Sequence, residues 1–274
     1  MSVSVSNLTI TTSSEKPLHL TETDCMITVS ENATVVFFDA YKNNVTRKIH
    51  VGKNANVTHY VLQIESDDTQ YSHQLDLTQQ ENSTVRLYPI SLGAAKTTQT
   101  ITCALNAKNA SVSIFALYQA SGDQQFDLQT RMLHNVGHCN STQVIKGVAS
   151  DAARVAFDGK IIVKKDAQKT TAHLKNKNLL LSSEAVVDTR PALEIYADDV
   201  KCSHGATVGF LDQDALFYLR SRGIFEKEAR QLLIQSFVNE ILDEMPCEKI
   251  RQYIAMGPWS LVPGTENQEK HDEF

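Results

Sequence analysis

The feature that most constrains the fold is a recurring way of opening an apolar run. Asn32-Ala-Thr-Val, Asn54-Ala-Asn-Val, Asn82-Ser-Thr-Val and Asn109-Ala-Ser-Val start 22, 28 and 27 residues apart. Looser relatives follow at Asp151-Ala-Ala-Arg-Val, Asp166-Ala-Gln, Glu184-Ala-Val-Val and Gly205-Ala-Thr-Val. A β-solenoid needs this order of residues at each corner. Asn and Asp accept the tight bend, a small side chain lets coils stack, and the β-branched residue turns inward. Between the corners, Cys25-Met-Ile-Thr-Val, Lys48-Ile-His-Val, Gln74-Leu-Asp-Leu and Thr100-Ile-Thr-Cys alternate in polarity, the period of strands with one buried face. A β-sandwich of hairpins is the competing architecture. It is disfavoured because the first 150 residues hold no Asn-Gly or Asp-Gly hairpin signal, and because a sandwich does not require the same opening each time.

The period changes near residue 212. Asp212-Gln-Asp-Ala-Leu-Phe-Tyr-Leu-Arg-Ser-Arg-Gly223 reads as a helix with Asp212 as cap and Gly223 as stop. A second helix is predicted from about Phe225 to Met245, with Ala229, Leu232, Leu233, Phe237 and Ile241 on one face and Pro246 ending it. A third, short helix is predicted over Lys249 to Met256. The expected organisation is a β region over 1–211, a helical region over 212–264 and a disordered polar tail over 265–274.

Composition excludes several function classes. With 21% charged residues and 42% hydrophobic ones, the chain is no disordered polyelectrolyte. A net charge of −6 argues against a general nucleic-acid binder, which needs basic stripes. No apolar run reaches the roughly 18 residues of a membrane helix. The start, MSVSVSNLTITTSS, has neither a basic segment nor a long apolar one, so no signal peptide is expected. Five widely spaced cysteines without a C-x-x-C pair fit a reducing compartment, and a cytoplasmic location is the expectation. The Asn-x-Ser/Thr sequons, at Asn7, Asn32, Asn44, Asn56, Asn82, Asn109 and Asn140, are read as products of an Asn-, Ser- and Thr-rich turn chemistry, not as glycan acceptors.

Two constellations could carry chemistry. Cys202 and His204, two apart, share one face if they lie on a strand, so a thiolate and an imidazole could meet one metal or sulfur species. A C-x-H pair by itself is more often structural. His134-x-x-x-His138-Cys139 has helical ligand spacing but sits in strand-like or loop-like surroundings, which favours a structural role. Cys25 and Cys103 lie in apolar runs and are expected in the core. P-loop, dinucleotide, G-x-S-x-G and H-E-x-x-H motifs are all lacking, so no enzymatic activity is expected. Two rival readings stay open: a polysaccharide-active β-helix enzyme, and a secreted β-solenoid adhesin.

The stretch Asp198-Asp-Val-Lys-Cys-Ser-His-Gly-Ala-Thr-Val-Gly209, followed by Leu211-Asp and Ala215-Leu-Phe-Tyr-Leu-Arg-Ser-Arg-Gly-Ile224, strongly resembles the SufD branch of the SufB/SufD family, scaffold subunits of the SUF iron–sulfur cluster assembly machine. Phe157-Asp-Gly-Lys-Ile, Ala167-Gln-Lys-Thr, Leu179-Leu-Leu-Ser and Pro191-Ala-Leu-Glu-Ile-Tyr-Ala look like the same core, and Glu228-Ala-Arg-Gln-Leu-Leu with Phe237 like the family's terminal helix. The resemblance covers about residues 130–246. It implies a right-handed parallel β-helix followed by a small helical domain. Family members also carry a helical segment before the β-helix. Here the rungs start close to Met1, so that segment is expected to be short or lacking, and no role of it is carried over.

The branch rests on particular residues. SufB-type chains have His-Glu-Ala-Thr where this chain has His204-Gly-Ala-Thr207, and an essential cysteine where Leu179-Leu-Leu-Ser-Ser-Glu-Ala185 places Ala185. Sulfur acceptance needs a thiolate, so the resemblance implies the partner subunit and not the primary sulfur acceptor. It implies that His204, with Cys202 beside it, lies at the interface with a SufB-like scaffold and contributes to a nascent, transient iron–sulfur cluster. No cofactor is expected in the isolated chain, and a homodimer is expected when the SufB-like partner is absent. By the same resemblance the helical region docks a SufC-like ABC ATPase, through Phe217, Tyr218, Leu219, Arg220, Arg222, Gly223, Leu232, Leu233 and Phe237. ATP-driven movement of the ATPase is expected to rotate the helical domains and so expose Cys202 and His204, buried at the scaffold interface.

Overall fold

The computed structural model describes residues 2–3, 7–21, 24–41, 44–63 and 70–255. Its strands are β1 (Ser2–Val3), β2 (Asn7–Ile10), β3 (Ser14–Leu20), β4 (Asp24–Val29), β5 (Thr34–Ala40), β6 (Val45–Val51), β7 (Asn56–Gln63), β8 (Gln70–Gln79), β9 (Thr84–Leu92), β10 (Lys96–Leu105), β11 (Ser111–Ala120), β12 (Gln125–His134), β13 (Asn140–Ala149), β14 (Arg154–Val163), β15 (Thr171–Leu180), β16 (Val186–Ile195) and β17 (Lys201–Phe210). Odd-numbered strands form one sheet and even-numbered strands the other. The pairings are parallel: β11 pairs with β9 and β13, and β12 with β10 and β14. This is a parallel β-solenoid with two strands per coil, as the recurring corner predicts. Two compact units result, Met1–Gly209 and Phe210–Phe274.

The corner that leads from the even sheet into the odd sheet explains the asparagines. Asn32, Asn54, Asn82 and Asn109 stand at φ 62°, 56°, 57° and 61°. This left-handed region is strained for most residues but open to Asn. The residue after each is small and buried: Ala33, Ala55, Ser83 and Ala110. The amides also bond to one another from coil to coil, Asn54 Nδ2 to Asn32 Oδ1 at 2.9 Å, Asn82 Nδ2 to Asn54 Oδ1 at 3.0 Å and Asn109 Nδ2 to Asn82 Oδ1 at 3.0 Å. At the same corner His138 (φ 61°) and Lys169 (φ 62°) continue the backbone without continuing the amide ladder. Asn82 sits mid-ladder, so Asn82→Ala should cost about 1–2 kcal/mol, and Asn82→Gly less because it relieves the backbone term. Urea unfolding of the two variants checks the order.

Inward positions form columns through successive coils. One runs Val35, Val57, Val85, Val112, Ser141 and Ala172 by register. Ile27, Ile49, Leu77, Cys103 and Met132 line another, nearly free of solvent. Cys25 and Cys103 are buried in this core, as expected.

The helical unit holds α1 (Gln213–Ser221), α2 (Glu226–Leu242) and α3 (Glu248–Ala255). Asp212 Oδ1 accepts from the amides of Asp214 at 2.9 Å and Ala215 at 3.1 Å, the N-cap read from the sequence. Gly223, at φ 88°, follows the end of α1. The predicted apolar face of α2 needs correction. Ala229, Val238, Ile241 and Leu242 are buried, whereas Leu232 is exposed and Leu233 and Phe237 are half-buried. Burial shifts along the helix because α2 meets α1 and α3 in turn, so no single stripe describes it. The polar tail predicted over 265–274, and Met256 at the end of the third helix, lie outside the described residues.

The open end of the solenoid and the helical unit

β17 is the last strand of its sheet and β16 the last of the other. Each therefore has a strand neighbour on one side only. Both are ten residues long, and around them Val186, Ile195, Tyr196, Val208 and Phe210 are exposed apolar side chains. Long, uncovered apolar edges are what proteins normally avoid, because such an edge templates pairing with another chain. Next to them, Ala185 is buried at the corner before β16 and carries no thiol, as read from the sequence.

Cys202 and His204 lie on β17. The Lys201 amide bonds the Thr170 carbonyl at 2.9 Å, the step that Thr171 makes onto Cys139 one coil earlier. This offset puts Cys202 above Ala172 and Ser141, and His204 above Leu174 and Gln143, both on inward columns. The two thus share a face, about 7 Å apart along the strand. Cys202 is half-buried and packs on the core, and burial raises its thiol pKa, partly offset by a backbone hydrogen bond. His204 is exposed. No further coil covers its column in the single chain. On the outward face between them, Ser203 Oγ lies 2.7 Å from Nδ1 of His173 on β15. Among the described residues, no three His, Cys, Asp or Glu side chains group so as to hold a metal ion. Cys202 and His204 are soft and borderline donors of the right kind for iron–sulfur ligation, but two from this chain leave the remaining ligands to another source.

The second constellation is not brought together. His134 ends β12 and points inward, its Nε2 2.8 Å from Ser141 Oγ, while His138 turns the corner and Cys139 is buried against the Ala107 carbonyl at 3.2 Å. Burial pushes the His134 pKa down from 6.5 to about 4. The unfolded chain therefore binds more protons between these values. Stability is therefore highest above about pH 6.5 and falls as pH drops towards 4, by up to about 3 kcal/mol. Urea unfolding at pH 7 and pH 4.5 should show a steeper loss for the parent than for His134→Gln.

In the helical unit, Phe217 and Tyr218 on α1 are 74% and 57% exposed and Phe225, before α2, is 77% exposed. Phe217, Arg220, Gly223, Ile224, Phe225 and Glu226 line a cleft of about 520 Å³. Arg222 lies over the Tyr218 ring at 5.2 Å, and Arg220 pairs with Glu226 at 3.4 Å. Of the predicted docking residues, Phe217, Tyr218, Arg220, Arg222, Gly223 and Leu232 are exposed, while Leu219, Leu233 and Phe237 are half-buried.

Sequence reading missed the polar groups inside the coils. Asp39 receives Arg47 Nε at 2.8 Å and Nη2 at 3.0 Å, with His59 Nε2 at 3.6 Å and His73 Nε2 at 3.8 Å from the same carboxylate. All four are essentially inaccessible. Burial alone would raise the Asp39 carboxyl, but the facing imidazoles and the Arg47 guanidinium outweigh it and hold it well below the usual range. His59 moves down, chiefly through burial. Polar residues at inward strand parity were the available signal.

Comparison with known proteins places the chain. A family profile described as the SUF system FeS cluster assembly SufBD core domain matches residues 9–237. The iron–sulfur cluster assembly protein SufD of Escherichia coli (strain K12) is 38% identical over 216 residues, 79% of this chain and 51% of the relative. An iron–sulfur cluster assembly SufBD family protein of Synechocystis is 37% identical over 211 residues, 77% of this chain and 47% of the relative. The chain thus spans about half the length of these relatives. Among the described residues no helix is long and apolar enough to cross a membrane. A profile match over most of the chain, on a parallel β-solenoid followed by helices, leaves one conclusion: this chain belongs to the SufB/SufD family, on its SufD branch.

Proposed function

We propose that the chain is a non-catalytic scaffold subunit in iron–sulfur cluster assembly, acting in the cytoplasm, that pairs through the open end of its solenoid with a SufB-like scaffold. The observation that carries this is the end itself. Two ten-residue strands each have a strand neighbour on one side only, and the last of them holds Cys202 and His204 on inward columns. A partner that extends the sheets would enclose both side chains and supply the further thiolates that a cluster needs. The nascent cluster is cargo, held while it forms at the joint. A second copy of this chain can occupy the same edges when the partner is absent, giving a homodimer.

The exposed aromatic cleft around Phe217 and Phe225 fits a SufC-like ABC ATPase. Aromatic side chains flanked by arginines are typical anchors of protein interfaces. With His204 already exposed in the single chain, movement of the ATPase would act on the paired scaffold by opening the joint and not by uncovering a residue buried within this subunit.

His204→Ala tests the assignment. Co-expressed with SufB-like and SufC-like subunits, the variant should retain its partners on size-exclusion chromatography but lose most cluster formation, read by absorbance near 420 nm after reconstitution. Unchanged cluster yield would reject the site. Failure of the parent chain to co-elute with either subunit would reject the scaffold reading.

A further inference from the structure

Directly beneath the open end, a buried hydrogen-bond network crosses three coils. Tyr118, on β11, is 1% exposed, and its hydroxyl donates to Oδ1 of Asn178 on β15. The strand between them is β13, and the ring passes where Gly147 lies. A Cβ at Gly147 would stand 1.8 Å from Tyr118 Cζ and 2.1 Å from Oη. The missing side chain is therefore the opening through which the tyrosine reaches two coils onward. Asn178 then spends its amide protons on the Asn176 Oδ1 at 2.7 Å and on the Thr207 carbonyl of β17 at 3.4 Å. Asn176 Oδ1 also accepts from Thr189 Oγ1, on β16, at 2.8 Å. Both terminal strands are thus tied, one by a backbone carbonyl and one by a side chain, to a tyrosine rooted two coils below β16 and three below β17.

We infer that Tyr118 is a positioning residue, which through Asn178 and Asn176 holds β16 and β17 in register for the SufB-like scaffold proposed to pair with them. The need for such a strut follows from the position of the strands. A terminal strand has half the ladder of an internal one, so its stability lies at the low end within the molecule. A terminal strand that frays cannot present a fixed row of backbone groups or hold Cys202 and His204 at one spacing. Pre-organising that edge reduces the ordering cost of pairing. The tyrosine suits this work because its phenol is a hydrogen-bond donor at neutral pH, and burial only moves its pKa further up. The amide of Asn178 suits it because one oxygen accepts while one nitrogen reaches two acceptors. The inference deepens the reading of the open end as the functional site and rests on it for its purpose, but its physical content concerns this chain alone.

Hydrogen exchange on the full chain, followed by peptide mass spectrometry, tests it with Tyr118→Phe. The substitution removes one oxygen and keeps the ring that fills the Gly147 opening. Exchange in peptides covering Val186–Ile195 and Lys201–Phe210 should accelerate roughly three- to tenfold, with peptides covering Thr34–Ala40 and Asn56–Gln63 unchanged. Thr189→Val cuts only the arm to β16, so it should accelerate Val186–Ile195 more than Lys201–Phe210. Equal acceleration over all peptides would reduce Tyr118 to ordinary core packing, and no acceleration in the terminal strands would overturn the proposal outright. Co-elution of Tyr118→Phe with a SufB-like subunit is a separate readout. If the parent itself fails to co-elute, the scaffold reading falls while the exchange result still judges the strut.

Discussion

Asp39→Ala should destabilise the solenoid by about 3–5 kcal/mol, the largest effect expected of any single truncation. The Asp39 carboxylate is bidentate to Arg47, and both side chains are about 1% accessible. Removing the carboxylate takes away the group that compensates the guanidinium charge inside the coils. His59 and His73, which face the same oxygen, cannot replace it, since neither carries negative charge. Replacing both members of the pair has a different consequence. Asp39→Leu with Arg47→Met exchanges a buried ion pair for apolar bulk, and such exchanges are often neutral or stabilising. The double variant should therefore recover most of the loss. Urea midpoints followed by far-ultraviolet circular dichroism give both numbers. A single variant costing under about 1 kcal/mol would mean that the pair is hydrated and not buried.

Gly147→Ala is the second large effect. Its Cβ would fall inside the Tyr118 ring, at 1.8–2.2 Å from three ring-end atoms. The backbone cannot retreat, because β13 is paired in register with β11 on one side and β15 on the other. The ring must leave, and its hydrogen bond to Asn178 goes with it. Overpacking of a tight core costs about 1–3 kcal/mol, and the broken buried hydrogen bond adds about 1–3 kcal/mol. A total of about 2–6 kcal/mol is expected from the urea midpoint. In a double-mutant cycle with Tyr118→Ala, the losses should be far less than additive, because the vacated opening admits the new Cβ. Additive losses would mean that the clash is not with Tyr118.

Much of this architecture was legible in the amino-acid order, for identifiable reasons. The Asn corners were readable because a left-handed backbone restricts the residue at each coil, and a restriction repeated at least four times becomes a pattern. The Asp212 cap was readable because capping is a matter of adjacent residues. The shared face of Cys202 and His204 followed from strand parity alone. The face of α2 was misread because a helix takes its buried side from its neighbours, and those change along its length. The exposure of His204 in the single chain was not legible, because whether an inward column is covered depends on whether a coil follows, which residue type does not disclose.

The residues by themselves determined the repeat, its corners, the change to helices and the pair on the last strand, because each is set by contacts a few residues apart or by one position recurring in successive coils. Only the tertiary structure decided which polar side chains meet inside. Arg47 finds Asp39 across the coil, and Tyr118 reaches Asn178 sixty positions later past a glycine. Period-two alternation says that a side chain points inward and is silent on what stands opposite, since the opposing residue is set by how whole coils stack. The same stacking, by ending at β16 and β17, left each of these strands with a strand neighbour on one side only.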